Sequence, residues 1–467
     1  MKLRNGKDMW PFFEPKSVAI FGSLKDGMGL GYGVVKNMLD YGFAGKLYPI
    51  NPSCNEVMGL KAYSDLNEVV DSIDLAVVIT PPPTVPPIIG QCAQKGIKGA
   101  VIVSENFAEA NKDGTKLQKQ LVDITKQRGI RIVGPNTVGI LNTANGVVTI
   151  PYPIGYEKIR RGGIALCSQT GVAAAQCQPL GDWAYPVSKM CDVGNKCDVN
   201  EIDLLNYLAD DAETKVIVMH LEDVKDGHGF MEAARKAAVR KPVVIFKPGR
   251  SEAAARASAS HTGSLAVSDK VYDDALKQIG AVRVNTWQEF WDIPKVFEYQ
   301  PLPKGNRTAI ITHSGGIGVM VTDAAIEAGL EIANFSTATL DKLARISPRL
   351  ARNPIDLGPA LSVSDDPISI QGEIMAMAMN DANVDCGTII VYGGVMAPIP
   401  LIVEMFSHLR QRVTKPLTVW VYGSKLSLTV DLRQQLEELG LPTYNDPETA
   451  VRALGALVTY ADFRRSL

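Results

Sequence analysis

The feature that most restricts how this chain can fold is an alternation that starts at Ser17 and runs to the C-terminus. Short apolar runs alternate with amphipathic stretches, often across small-residue loops. SVAIF (17–21), LAVVIT (75–80), GAVIVS (99–104), GIALC (163–167), PVVIFK (242–247) and TAIIT (308–312) are apolar almost throughout, with no polar residue at every second position. A strand of that kind is buried on both faces, as in a parallel sheet covered by helices on each side. The helix-period stretches include VNEIDLLNYLADD (199–211), GFMEAARKAAVRK (229–241), SDKVYDDALKQIG (268–280) and ETAVRALGALVTYADF (448–463). The predicted class is therefore α/β.

The alternation restarts twice. ALCSQTG (165–171) and IITHSGG (310–316) each end a strand in a small polar loop and open a helix on glycine. The reading is a Rossmann-like unit over residues 1–145, a flavodoxin-like doubly wound unit over 146–300 and a second flavodoxin-like unit over 301–467. PLPKG (301–305) is read as a linker. A length of 467 residues allows roughly two to four such cores.

Composition narrows the function by exclusion. The formal net charge is -2 and there is no basic arm, so nothing electrostatic favours nucleic acid or an anionic membrane. No apolar run approaches the roughly 20 residues of a membrane span. MKLRNGKDMWPFFEP at the N-terminus lacks the apolar core of a secretory signal. Seven cysteines (54, 92, 167, 177, 191, 197 and 386) are scattered without a CxxC. They read as free thiols of a cytoplasmic protein, and no metal site is expected.

Four stretches carry chemistry. In FGSLKDGMGLGYGVV (21–35), glycines follow a strand and open a helix, so that backbone N–H groups can approach a pyrophosphate. A dinucleotide such as NAD and another ADP-containing ligand such as coenzyme A both suit such a loop. NAD sites place an acid at the end of the second strand. Here that strand ends Tyr48-Pro49-Ile50-Asn51-Pro52, with Lys25 and Lys46 nearby as potential phosphate partners, which favours coenzyme A. In CSQTG (167–171) a strand runs into a helix start with two hydroxyls, an anion-type arrangement that simple capping by Ser168 also explains in part. HSGG (313–316) has the same form. Glu222 closes the strand KVIVMHLE (215–222), at the sheet edge where such folds bind ligands. A carboxylate there can hold one nitrogen of an imidazole. The fourth stretch, GRSEAAARASASHTGSLA (249–266), sets His261 in a run of small residues. It reads either as a surface loop or as a mobile nucleophile loop.

Together these blocks resemble a family. SVAIFGS, YPINP, LAVVITPP, GPNTVGILNT, SQTG, VGNKCDVNEIDLLNYLADD, KPGRSEAAARASASHTGSLA and NPIDL are similar to blocks of the α subunit of ADP-forming acyl-CoA synthetases (acetate–CoA ligase, ADP-forming), relatives of succinyl-CoA synthetase. The resemblance covers about Glu14 to Ala461, and the SHTGS block with its KPGRS is the most specific part of it. It implies that His261 is the phosphorylated histidine and that Glu222 orients it. Gly22, Ser23, Lys25, Asn51, Ile79, Thr80, Pro81 and Ser104 fall in blocks that bind coenzyme A. Ser168, Gln169, Thr170 and Gly171 form the phosphate-binding helix start, Gly263 follows the histidine, and Asn136 and Asn195 lie near the reacting acyl group or phosphate.

Three departures stand out. Val172 replaces an alanine after SQTG, HSGG replaces an NAGG-like block, and Ser104-Glu105-Asn106-Phe107 replaces SAGF. They leave the phosphate chemistry in place and the acid open. The family also uses an ATP-grasp domain for ADP/ATP and Mg²⁺. All three units here are otherwise accounted for, so the resemblance implies a partner β subunit carrying that domain, in an α2β2 heterotetramer. The implied reaction interconverts acyl-CoA, ADP and phosphate with acid, coenzyme A and ATP. A non-catalytic coenzyme A-sensing protein of the same fold is the alternative.

Overall fold

The structure is a computed structural model that describes residues 6–152, 158–171, 180, 184–254, 256, 268–358, 364–393 and 397–467. It divides into two compact units, Met1–Asn285 and Thr286–Leu467.

The first unit holds two large sheets and a two-stranded antiparallel ribbon of Glu56–Val57 and Leu60–Lys61. Strands β1 (Ser17–Gly22), β2 (Lys46–Ile50), β3 (Leu75–Ile79), β4 (Gly99–Ile102) and β5 (Arg131–Val133) form a sheet in the order β2-β1-β3-β4-β5. Every pairing in it is parallel. All six residues of β1 are buried, as an apolar run without alternation requires. Helix α1 (Leu30–Asp40) follows the glycine loop of β1. Ala19, Phe21, Val78, Ile89, Ile102 and Leu121 belong to the core on one face of this sheet.

The second sheet comprises β6 (Ile140–Asn142), β7 (Val147–Val148), β8 (Arg161–Ser168), β9 (Val187–Asp192), β10 (Val216–His220), β11 (Val243–Phe246) and β12 (Val282–Val284). Its order is β12-β11-β10-β8-β9-β6-β7. The five strands from β12 to β9 repeat the parallel order of the first sheet. β6 and β7 extend it antiparallel beyond β9. The strand signal of ILN and VV is too short to read from composition, and β9 (VSKMCD) mixes polar residues into a fully buried strand. Helix α2 (Glu201–Asp210) starts on a capping box in which Asn200 and Asp203 satisfy each other's backbone N–H groups.

The second unit is a sheet of β13 (Arg307–Thr312), β14 (Glu331–Ile332), β15 (Ile355–Asp356), β16 (Cys386–Tyr392), β17 (Leu417–Tyr422) and β18 (Thr443–Tyr444), ordered β14-β13-β16-β17-β18 with β15 also on β13. Helix Trp287–Tyr299 belongs to this unit. Separate apolar cores lie around Ile311, Ile389 and Phe406 and around Ile310, Ile390 and Leu454. Consecutive residues of β13 and β16 thus point to opposite faces, as a strand covered on both sides requires.

In each of the three large sheets, the first parallel strand (β1, β8 and β13) is flanked by the next parallel strand on one side and a later one on the other. Doubly wound sheets bind ligands at that switch point, outside the carboxyl ends of the strands. In the first sheet it lies between Gly22 and Ile79, and in the second between the ends of β8 and β10. Among the described residues no helix is long and apolar enough to cross a membrane.

Candidate active site

At the first switch point the glycine loop folds back on itself. A Cβ on Gly29 would lie 2.3 Å from the Ser23 carbonyl oxygen, and one on Gly31 would lie 2.9 Å from the same atom. Both positions therefore require glycine for close approach. Asn51, at the end of β2, donates from Nδ2 to the Gly22 carbonyl at 2.7 Å and accepts the Ser53 N–H at 2.8 Å. The residue standing where an NAD site has its acid thus braces the loop. Lys25 and Ser23 are exposed in the loop. Lys46, read from sequence as a potential phosphate partner, is corrected by register. It pairs with Ser17 at the opposite end of the strands, and its ammonium meets Asp71 at 2.6 Å.

Ile79, Thr80 and Pro81 leave β3 beside this loop. The Ser104 hydroxyl is buried at the end of β4; it donates to the Thr80 carbonyl at 2.7 Å and accepts the Thr80 N–H at 3.1 Å. Asn106 adopts a left-handed backbone, φ 68°. Asparagine tolerates that conformation better than other side-chain residues, which explains how it occupies a glycine position of the SAGF pattern.

The Asn136 N–H donates to the Ser104 carbonyl at 2.9 Å. Its side-chain Nδ2 reaches Oδ1 of Asn195 at 3.4 Å. The GPNTVG and GNKCDV segments dock backbone to backbone, with Asn195 N to Pro135 O at 2.9 Å and Cys197 N to Gly134 O at 3.2 Å. A Cβ on Gly194 would fall 2.3 Å from the Pro135 carbonyl. Asn195 also donates to Glu109 and, at 3.0 Å, to Gln118.

From Asn195 the path continues into the second switch point. Asp192 accepts the Gly194 N–H at 3.1 Å and the Val138 N–H at 2.8 Å. Val193 N donates to the Ser168 carbonyl at 2.8 Å. The buried Ser168 hydroxyl closes a turn on Thr170, donating to its carbonyl at 2.6 Å and accepting its N–H at 3.0 Å. Gly171 packs where a Cβ would meet Val138 at 2.3 Å. The helix start at Ser168–Gly171 is thereby fixed against the Asn136 loop.

Gln169 ties this turn to the end of β10. Its Oε1 accepts the N–H groups of Glu222 and Asp223 at 2.9 and 3.2 Å, and its Nε2 donates to Asp223 at 2.5 Å. Behind the turn lie two buried titratable groups. His220 Nδ1 is 3.4 Å from the Ser168 hydroxyl. Burial, helped by the Lys247 charge, lowers its pKa to about 4, so it is neutral at pH 7. Burial raises Asp192 to about 6 against the pull of its backbone donors, and the charge of Glu222 adds to the rise.

Lys247 sits over the Tyr272 ring at 4.9 Å and donates to the Pro248 carbonyl at 2.9 Å; burial lowers its pKa. The stretch that follows begins at Gly249, φ 87°. Its two flanks are joined by Arg250 and Asp269 at 3.6 Å, with Asp269 also bound by Arg283. His261, Gly263 and Val172 lie outside the described residues. His313 holds its two ring nitrogens against Ile390 O at 3.0 Å and Gln371 Oε1 at 2.7 Å, inside its own unit.

The sequence analysis did not single out Asp192 or Asp223, nor the buried Lys196, whose ammonium meets Asp223 at 2.6 Å and Glu201 at 3.2 Å; the hint was a lysine inside the GNKCDV block. Among the described residues there is no cluster of three or more His, Cys, Asp or Glu able to hold a metal.

The chain matches known proteins over nearly its whole length. Residues 16–143 match the family model of a CoA binding domain, and residues 161–297 that of a succinyl-CoA ligase like flavodoxin domain. It is 37% identical to acetate–CoA ligase [ADP-forming] II of Archaeoglobus fulgidus, over 98% of this chain and 68% of that protein. It is 35% identical to the α subunit of acetate–CoA ligase [ADP-forming] I of Pyrococcus furiosus, over 97% of each. Acetyl-coenzyme A synthetase 1 of Ca. Korarchaeum cryptofilum, solved in complex with phosphate and ADP, superposes with a TM-score of 0.88 at 29% identity, over 98% of this chain and 97% of that one.

Proposed function

This chain belongs to the family of ADP-forming acetate–CoA ligases, and on that premise we propose that it is the α subunit of an ADP-forming acyl-CoA synthetase. It binds coenzyme A and an acyl group and passes a phosphoryl group to a partner. The observation that carries this reading is the hydrogen-bonded path from Thr80 through Ser104, Asn136, Asn195 and Gly194 to Asp192, with Val193 held on Ser168. It puts a pyrophosphate-type loop and an anion-type helix start on one scaffold, with two carboxamides between them.

The proposed reaction uses that arrangement. Coenzyme A lies with its phosphates on the Gly22–Gly31 loop and its thioester near Asn136 and Asn195. A phosphate oxygen attacks the acyl carbon, the C–S bond breaks, and the thiolate takes up a proton. Acyl phosphate remains at the Ser168–Gly171 turn, where N–H groups at a helix start offset its charge. His261 then attacks phosphorus through one ring nitrogen. The P–O bond to the acyl group breaks and the carboxylate leaves. Glu222 accepts the hydrogen bond of the other ring nitrogen and stabilises the phosphoimidazole. The phosphoryl group next passes to ADP, which with Mg²⁺ belongs to an ATP-grasp β subunit, two copies of each chain forming the assembly. Run backwards, the same steps activate an acid at the expense of ATP. Positioning and charge stabilisation do most of the work in both phosphoryl transfers.

The test is thioester formation by the complex with MgATP, coenzyme A and a panel of acetate, branched, aryl and dicarboxylic acids. Thioester from at least one acid is expected. Coenzyme A binding without thioester from any acid would support the non-catalytic alternative.

A further inference from the structure

Lys196, in the GNKCDV block, carries a charge that the proposed reaction does not use. It is a lysine with a side chain only 3% exposed. It adopts a left-handed backbone, φ 52°, a conformation that favours glycine. Its Nζ lies 2.6 Å from Asp223 Oδ1 and 3.2 Å from Glu201 Oε2, and donates to the Asp223 carbonyl at 2.9 Å. Glu201 stands in the first turn of α2, where the helix dipole favours a carboxylate. The Asp223 oxygen that meets Lys196 also receives Gln169 Nε2, and Gln169 Oε1 receives the Glu222 N–H.

We propose that Lys196 and Asp223 are a positioning pair for phosphoryl transfer. They lock the segment carrying Glu222 onto the Ser168 turn through Gln169. The inference rests on the proposed function above and assigns to that site two residues it did not include. The Lys196 ammonium and the Gln169 carboxamide, both meeting Asp223, together fasten three loops that leave three different strands: 168–171 after β8, 193–199 after β9 and 221–223 after β10.

Stability alone is a poor reason for this design. A buried ion pair is often replaceable by apolar residues without loss of stability. Left-handed backbone on a side-chain residue concentrates at functional sites. Here both features fall at the switch point, one carboxamide away from the Glu222 backbone.

The test uses the full chain with its ATP-grasp partner and MgATP labelled at the γ position, read by rapid quench as the rate of label transfer to His261. Lys196→Met strands two buried carboxylates and is expected to misfold, so Asp223→Asn and Lys196→Arg carry the test. Asp223→Asn keeps size and an acceptor for Gln169 but removes the charge that holds Lys196. Lys196 keeps its contact with Glu201, so we expect a folded chain with a lowered melting temperature, coenzyme A affinity within about twofold, and transfer per folded protein slowed by about ten- to a hundredfold, as misplacement by about 1 Å commonly does. Lys196→Arg, which keeps the charge, is expected to transfer faster than Asp223→Asn. A folded Asp223→Asn chain that transfers label at the wild-type rate overturns the inference. So does a loss of rate that only follows a loss of folded protein or of coenzyme A binding. Wild-type protein that takes no label at His261 overturns the underlying reading instead, and the inference falls with it.

Discussion

Asn136 and Asn195 meet side chain to side chain, Nδ2 to Oδ1 at 3.4 Å, although they lie on the connections of two different sheets. Gly194 makes this possible, because its missing Cβ lets the GNKCDV backbone lie against Pro135 and Asn136. Asn195 also donates to Glu109. We therefore expect Asn195→Asp to be worse than Asn195→Ala, because it sets a second carboxylate against the first. Thioester formation should fall by about tenfold or more in Asn195→Ala and further in Asn195→Asp, as steady-state kinetics at saturating coenzyme A would show. Equal effects would mean that the contact with Glu109 is unimportant.

Gly29→Ala places a methyl 2.3 Å from a backbone oxygen that cannot move aside without opening the loop. Coenzyme A affinity should drop by about tenfold or more by titration calorimetry, an order of magnitude typical of lost polar contacts. Phosphoryl transfer between the partner and His261, which does not use this loop, should persist in the same protein.

The buried pair behind Ser168 predicts opposing pH effects. His220 titrates near 4 when folded, below its usual 6.5. The unfolded chain gains its proton first, so stability is lost as pH falls from about 6.5 towards about 4. Asp192 titrates near 6 when folded, above its usual value. The folded chain holds that proton more tightly, so its contribution is present at low pH and is lost as pH rises through about 6. Relative to wild type, His220→Gln should gain stability on acidification from pH 7 to pH 5. Asp192→Asn should gain in the opposite direction, each by on the order of 2–3 kcal/mol at most. Melting curves of the two variants across this range check the signs.

In the second unit, Lys295 is buried between Asp292 at 3.3 Å and Glu437 at 3.0 Å and donates to the Thr443 carbonyl at 2.6 Å. Lys295→Met leaves both carboxylates without that ammonium. A loss of about 3–5 kcal/mol is expected, seen as an earlier unfolding transition by calorimetry. Lys295→Met together with Glu437→Leu should recover part of it.

The layout of the fold was legible because a strand buried on both faces cannot hide its composition. SVAIFG and LAVVI announce themselves, and the loops at their carboxyl ends become site candidates by topology alone. The antiparallel pair Ile140–Asn142 and Val147–Val148 was not legible. Strands so short carry no periodic signal and are decided by their partner β9. The site was legible where small residues or hydroxyls mark a loop, as at Gly22 and Ser168. Lys196 and Asp223 were not, because a charged residue in a loop reads as solvated until the structure shows it buried. Lys46 failed for a related reason. Nearness in sequence to a strand end says nothing about which end of the sheet a side chain occupies.

The central claim is that this chain carries a phosphoryl group on His261. Incubation with the ATP-grasp partner and MgATP labelled at the γ position, then peptide mapping of the isolated chain, tests it most directly. Acid-labile, base-stable label is expected on the peptide containing His261, and none in a folded His261→Asn chain. Label that persists in His261→Asn, or a wild-type chain that stays unlabelled while the complex makes thioester, would contradict it.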